Sequence, residues 1–199
     1  MKKSILVVAL LVTTFSFSQK LKVTEGDIKN LKGIEQFDVI FDYTDVQIPK
    51  YDSEEEFLKD KMTKREEKEK GSGERFKKDW FDDRPEHYHP KFITSFNKRF
   101  DDGEVRVTEN EAAKYVMKIH TTWLYSGYNV GIVRHSAEIN VEITVYSSEN
   151  PDTILFKGNY KKVQGGGAFG GDYDTGYRIS EAYAKTAKEF AKYIKKKAK

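Results

Sequence analysis

The sequence predicts an α+β domain: a two-layer sandwich whose mostly antiparallel sheet of about four strands runs in the order β-α-β-β-β-α, with helices on one face. Three observations predict it. Two long segments in the second half alternate apolar and polar residues with a period of two. A polar, helix-rich stretch separates them from an earlier strand, and the carboxy-terminal segment carries an apolar stripe at helical spacing.

In chain order, Lys2 and Lys3 precede an apolar run from Ile5 to Val12, after which Ser16 and Ser18 flank Phe17. This is the layout of a signal peptide, residues 1–18, cleaved after Ser18. The run is shorter than the roughly 20 residues that span a bilayer core, and no second long apolar run follows. Residues 19–199 are therefore expected to form one exported domain, periplasmic or secreted, without a transmembrane segment. Residues 19–36 show no confident element beyond one helical turn capped by Asp27. Alternation from Phe37 to Ile48 predicts a strand, stopped by Pro49.

Ser53-Glu-Glu-Glu56 is a capping box that opens a helix running to about Lys70 and closed by Gly71. Its apolar content, Phe57, Leu58 and Met62, leaves most of its circumference in water. Phe76 and Trp80, four apart, predict a second short helix; Pro90 begins a third with Phe92, Ile93, Phe96 and Phe100 as its core stripe. Tyr115, Met117, Ile119, Thr121, Trp123 and Tyr125 share one parity, as do Val133, Ala137, Ile139, Val141, Ile143 and Val145; two strands follow, turning within 126–131. A third, Thr153 to Val163, follows a turn at 149–152. The Gly-rich segment 164–176 then leads to a helix from about Tyr177 to Lys197, with Ile179, Ala182, Tyr183, Ala187, Phe190, Ala191 and Ile194 inward.

Composition excludes several chemistries. With no cysteine there are no disulfides, no lipidated cysteine, no thiol catalysis and no thiolate metal site. Without Lys2 and Lys3 the formal charge falls from +3 to about +1, so no overall basic field for nucleic acid exists.

The glycine segment contains Gly165-x-Gly167-x-x-Gly170, but a dinucleotide loop follows a buried parallel strand and opens directly onto a helix. Here the strand is amphipathic, and Asp172 and Asp174 stand where a phosphate would. Read as a calcium loop from Asp172, position 12 is Tyr183 instead of glutamate. The segment is read as a strand-to-helix joint, with Phe169, Asp172, Tyr173 and Asp174 as candidate partner contacts. His87-Tyr-His89 is the best metal candidate, since on a strand both imidazoles would face one side, although Pro85 and Pro90 bracket it and no third ligand is evident. His120 is expected on the wet face and His135 on the buried one. No cofactor is expected. Lys192, Lys195, Lys196 and Lys197 make the last helix a candidate for an anionic surface.

The run from Phe96 to Val145 resembles the small α/β accessory lipoproteins of the bacterial periplasm, among them those of lipopolysaccharide assembly and of transporter-linked systems, and the amino-terminal domain of the Tol-system propeller protein. Phe96-Asn97, Val105 and Val107, Ala113-Lys-Tyr115 and the helix from Tyr177 carry the likeness, which covers about half of the chain. The lipidated cysteine is missing. The resemblance implies a binding or assembly role at the envelope, with an envelope protein or glycolipid as partner and no catalytic residues. Two alternatives remain open: a metal-dependent hydrolase at His87 and His89, and an anionic-surface binder using the last helix.

Overall fold

The computed structural model describes residues 20–100, 102–130, 133–166 and 174–198. Its architecture is α+β, with a six-stranded mixed sheet in the order β1-β8-β7-β4-β2-β3. The strands are β1 (Lys22–Gly26), β2 (Gln36–Asp42), β3 (Arg106–Thr108), β4 (Tyr115–Tyr125), β7 (Ala137–Ser147) and β8 (Asn150–Gly165). A separate two-stranded ribbon joins β5 (Tyr128–Asn129) to β6 (Arg134–His135). The helices are α1 (Glu54–Glu66), α2 (Ser72–Asp83), α3 (His89–Asn97) and α4 (Thr175–Lys197).

The sheet corrects the four-strand antiparallel expectation. β4, β7, β8 and β1 pair antiparallel, but β2 pairs parallel to both β3 and β4. The helices between β2 and β3 supply the long crossover that parallel neighbours require. Residues 19–36, expected to hold no element beyond one turn capped by Asp27, contain that turn as a 3-10 segment, Ile28–Leu31, and also contribute the edge strand β1. Every residue of β1 is exposed, so no alternation marked it in the sequence.

One sheet face is dry. Phe37 and Val39 from β2, Met117, Ile119 and Thr121 from β4, the odd residues of β7 from Ala137 to Val145, and Phe156 and Tyr160 from β8 are buried on it. α4 covers them with Ile179, Ala182, Tyr183, Ala187, Phe190, Ala191 and Ile194, the predicted stripe in full. The opposite face is polar and ion-paired, with Lys118 3.5 Å from Asp42 and Lys157 3.0 Å from Glu142. Two irregularities shift the parity. A bulge between Thr121 and Trp123 brings Leu124, not Trp123 or Tyr125, into the core. In β8 Lys162 adopts a positive φ of 51°, opposite the Ile139/Val141 register shift, and Val163 is buried next. Val133 and His135, expected inside, are exposed; Arg134–His135 pairs with Tyr128–Asn129 in the small ribbon instead of extending β7.

α3 secures the edge strand β3. The Asn97 side-chain amide donates to the Val107 carbonyl at 2.9 Å, and its carbonyl accepts from the Val107 N–H at 2.8 Å. It stands in for a neighbouring strand on an otherwise open edge.

Candidate functional site

The polar centre of the molecule lies where α2 passes into α3. Pro85 and Pro90 lack an N–H and obstruct α-helical hydrogen bonding; the chain answers with a π-helical segment, Arg84–Tyr88, in which the His89 N–H reaches back to the Arg84 carbonyl. The helical path continues where the metal reading of His87-Tyr-His89 required a strand. This changes the geometry of His87-Tyr-His89. Residues two apart on a helix point to nearly opposite sides, so the two imidazoles separate.

His87 turns outward, its side chain 52% accessible, with Nδ1 2.9 Å from Asp83 Oδ1. His89 turns inward, its side chain 13% accessible, with Nδ1 2.8 Å from Glu109 Oε1 and Nε2 3.2 Å from the Tyr43 hydroxyl. Phe41 stacks on the imidazole at a centroid distance of 3.9 Å. Among the described residues no group of three or more histidine and carboxylate side chains is disposed to hold a metal ion.

From His89 the polar contacts run deeper. The Tyr43 hydroxyl interacts with that of Tyr183, and Tyr183 Oη lies 2.6 Å from Thr121 Oγ1; Tyr183 and Thr121 are both wholly buried. With Nδ1–H directed at the Glu109 carboxylate, Nε2 is the acceptor and Tyr43 the donor. Glu109, His89, Tyr43, Tyr183 and Thr121 thus form one chain from the surface to the sheet. Arg84 closes it from above: the guanidinium sits 4.3 Å from the Tyr43 ring centroid and pairs with Glu54, whose Oε1 also accepts from Trp80 Nε1 at 2.7 Å.

The electrostatics follow from burial. Burial pulls the His89 imidazole below its ordinary 6.5, against the raising effect of Glu109, so the ring is neutral at pH 7. Burial drives Tyr43 well above 10, and pushes Tyr183 up to about 12. Tyr88, stacked on Tyr183 at 5.3 Å, is also raised well above 10 by burial, and its hydroxyl has no hydrogen-bond partner among the described residues. A Glu–His pair facing a hydroxyl is the arrangement that activates a nucleophile. Here burial makes the Tyr43 hydroxyl a weaker acid than free tyrosine, which opposes that use.

The remaining sequence-selected residues fall in three places. Phe169, Asp172 and Tyr173 lie outside the described residues. Asp174 caps α4, accepting from the Tyr177 N–H at 2.9 Å, and α4 begins at Thr175, two residues earlier than expected. Gln164 and Gly165 belong to β8, and Gly176 to the first turn of α4, where a Cβ would stand 2.4 Å from Asp83 Oδ1. That missing side chain lets Asp83, its pKa raised chiefly by burial, reach the helix start. His87 and Asp174, picked from unrelated motifs, come to line one open cavity of about 630 Å³ with Asp83 and Glu86. Lys192, Lys195, Lys196 and Lys197 are exposed on α4, with the Lys195 ammonium 5.1 Å from the Phe100 ring centroid.

Tyr43, Glu109, Tyr183 and Thr121 carried no sequence signal as a group, because they come from four separate elements and connections. Among the described residues, no helix is long and apolar enough to cross a membrane. Comparison with known protein families, curated proteins and solved structures finds no match.

Proposed function

We propose that this chain is an exported, non-enzymatic binding domain that acts at the bacterial envelope. The observation that carries the reading is the engagement of His89, whose Nδ1 lies 2.8 Å from Glu109 Oε1 and whose Nε2 lies 3.2 Å from the hydroxyl of Tyr43, a tyrosine whose acidity burial suppresses. The best-formed acid–base constellation among the described residues is thereby committed to holding α3, β2 and the segment after β3 together. The signal-peptide pattern at residues 1–18 and the likeness of residues 96–145 to envelope accessory proteins support the compartment and the role in this reading. The partner in this reading is an envelope protein or glycolipid.

The test has two arms. Purified from native envelopes under crosslinking, the protein should carry a stoichiometric partner, and the mature chain should begin at Gln19. In parallel, panels of ester, phosphate and glycoside substrates should show no turnover. Turnover that His89→Gln abolishes, in a protein that captures nothing, would overturn the reading. The hydrolase alternative at His87 and His89 draws no support from the geometry, since the two rings have separate partners on opposite sides of the helix.

A further inference from the structure

α3 and α4 pack side by side, and between their outward faces runs a groove of about 510 Å³. Lys91, Lys98, Arg99 and Lys188 line it, with Thr94 among the polar groups and Glu181 as the one acid among its described lining residues. Glu181 is already engaged by Lys91 at 2.6 Å, so four cations meet one carboxylate that is spoken for. The same charge continues along α4. Lys185, Lys188, Lys192 and Lys195 succeed one another at steps of three, four and three, which keeps them on one side of the helix over about 15 Å. Lys98 caps α3 and Arg99 follows it, where cations favour the helix dipole, but Lys185 and Lys188 lie in the middle of α4, where that explanation fails.

The full chain is close to neutral, at +3, so this concentration of charge is local. The large apolar side chains that are exposed among the described residues, Ile40, Phe81, Tyr128, Val130 and Val133 with Val23, all lie off α3 and α4. The apolar stripe of α4 is used up against the sheet. A partner here is held by charge at its surface, without insertion of side chains into an apolar layer. We infer that the α3–α4 groove and the lysine line beside it form a docking surface for the phosphates of anionic lipid headgroups. A planar array of phosphates matches cations displayed along one side of a helix, and Arg99 adds a planar donor fork suited to an individual phosphate.

This inference rests on the envelope-binding reading and names its surface and chemistry. It is tested with the full mature chain, vesicles of phosphatidylcholine alone, and vesicles with about a third phosphatidylglycerol, at low and physiological salt. Binding should require the anionic lipid and weaken steeply with salt. The triple variant Lys98→Gln/Arg99→Gln/Lys188→Gln should lose about a hundred-fold in vesicle affinity, roughly five-fold for each charge removed. Lys59→Gln/Lys68→Gln/Lys77→Gln, the same charge change in the α1–α2 region, should lose less than about three-fold. These positions are solvent-facing, and an unchanged melting temperature verifies folding. Equal losses in the two variants would overturn the groove assignment, as would indifference to anionic lipid. Complete displacement by millimolar inorganic phosphate at matched ionic strength would also overturn it, pointing to a soluble phosphate ligand. Capture of an envelope partner that survives the groove substitutions would sink this inference and leave the binding reading standing; turnover by the wild type would sink the binding reading alone.

Discussion

At the scale of single residues, His89 is the position where chemistry and stability are most tightly linked. The unfolded chain protonates a histidine near pH 6.5, whereas the folded protein resists, because burial and the nearby Arg84 disfavour the cation more than Glu109 supports it. Between those two values the unfolded state binds the extra proton, so stability is complete above about pH 6.5 and falls as the pH drops toward the folded pKa. The urea midpoint of the wild type should therefore decline from pH 7 to pH 5, and His89→Gln should flatten that decline while lowering the midpoint at pH 8. A wild-type midpoint independent of pH over this range would refute the assignment. Asp83 acts in the opposite sense at more acid pH: its raised pKa means that the folded form takes up a proton before the unfolded one does, which partly offsets further loss. Asn97 offers a second test. Its amide satisfies both polar groups of buried Val107, so Asn97→Ala strands a donor and an acceptor and should cost about 3 kcal/mol, whereas Asn97→Asp, which keeps only the acceptor, should cost less.

At the scale of elements, β8 and α4 approach closely at Gly165. A Cβ on Gly165 would lie 2.1 Å from the Arg178 carbonyl oxygen and 2.5 Å from the Ala182 nitrogen, both backbone atoms that cannot step aside. Gly165→Ala should push the helix off the sheet and lower the unfolding free energy by about 3 kcal/mol, measured by chemical denaturation. Loss below about 0.5 kcal/mol would mean that α4 floats. This contact also shows where sequence reading stops. The α4 stripe was legible because its period is intrinsic to the helix, and so were the Ser53 cap, whose hydroxyl accepts from the Glu56 N–H at 3.1 Å, and the single-parity core of β7. β3 was too short and β1 too exposed to alternate, and the β4 bulge reverses parity without a distinctive residue at its position. The glycines of 164–176 drew attention as a possible phosphate loop, yet Gly165 and Gly176 are explained by what crowds them. In the polar centre His89 was legible as a candidate ligand and Tyr183 and Thr121 as members of apolar stripes, but their convergence with Tyr43, just after β2, and Glu109, just after β3, is announced by no local spacing.

At the scale of the molecule, stability is unevenly distributed. The sheet and α4 share a continuous dry layer, while α1 buries only Phe57 and Leu58 and holds to the rest through α2, an aromatic contact between Phe57 and Trp80 at 4.8 Å, and the Glu54 carboxylate shared by Arg84 and Trp80. Regions with few buried apolar contacts open at lower free energy than the core. The α1–α2 hairpin should therefore exchange its amide hydrogens through a local opening that leaves β4, β7 and α4 protected. Glu54 is the hinge of that argument. Glu54→Gln keeps a carbonyl oxygen for Trp80 but removes the charge that Arg84 faces, leaving a guanidinium with 14% side-chain exposure uncompensated. The expected result, read by hydrogen exchange with mass spectrometry, is at least ten-fold faster exchange in residues 54–83 with β7 and α4 changed less than two-fold. Uniform acceleration across the chain would show instead that the hairpin unfolds only with the whole. In that case Arg84 and Glu54 would belong to the global core, and the polar chain from Glu109 to Thr121 would share its cooperativity.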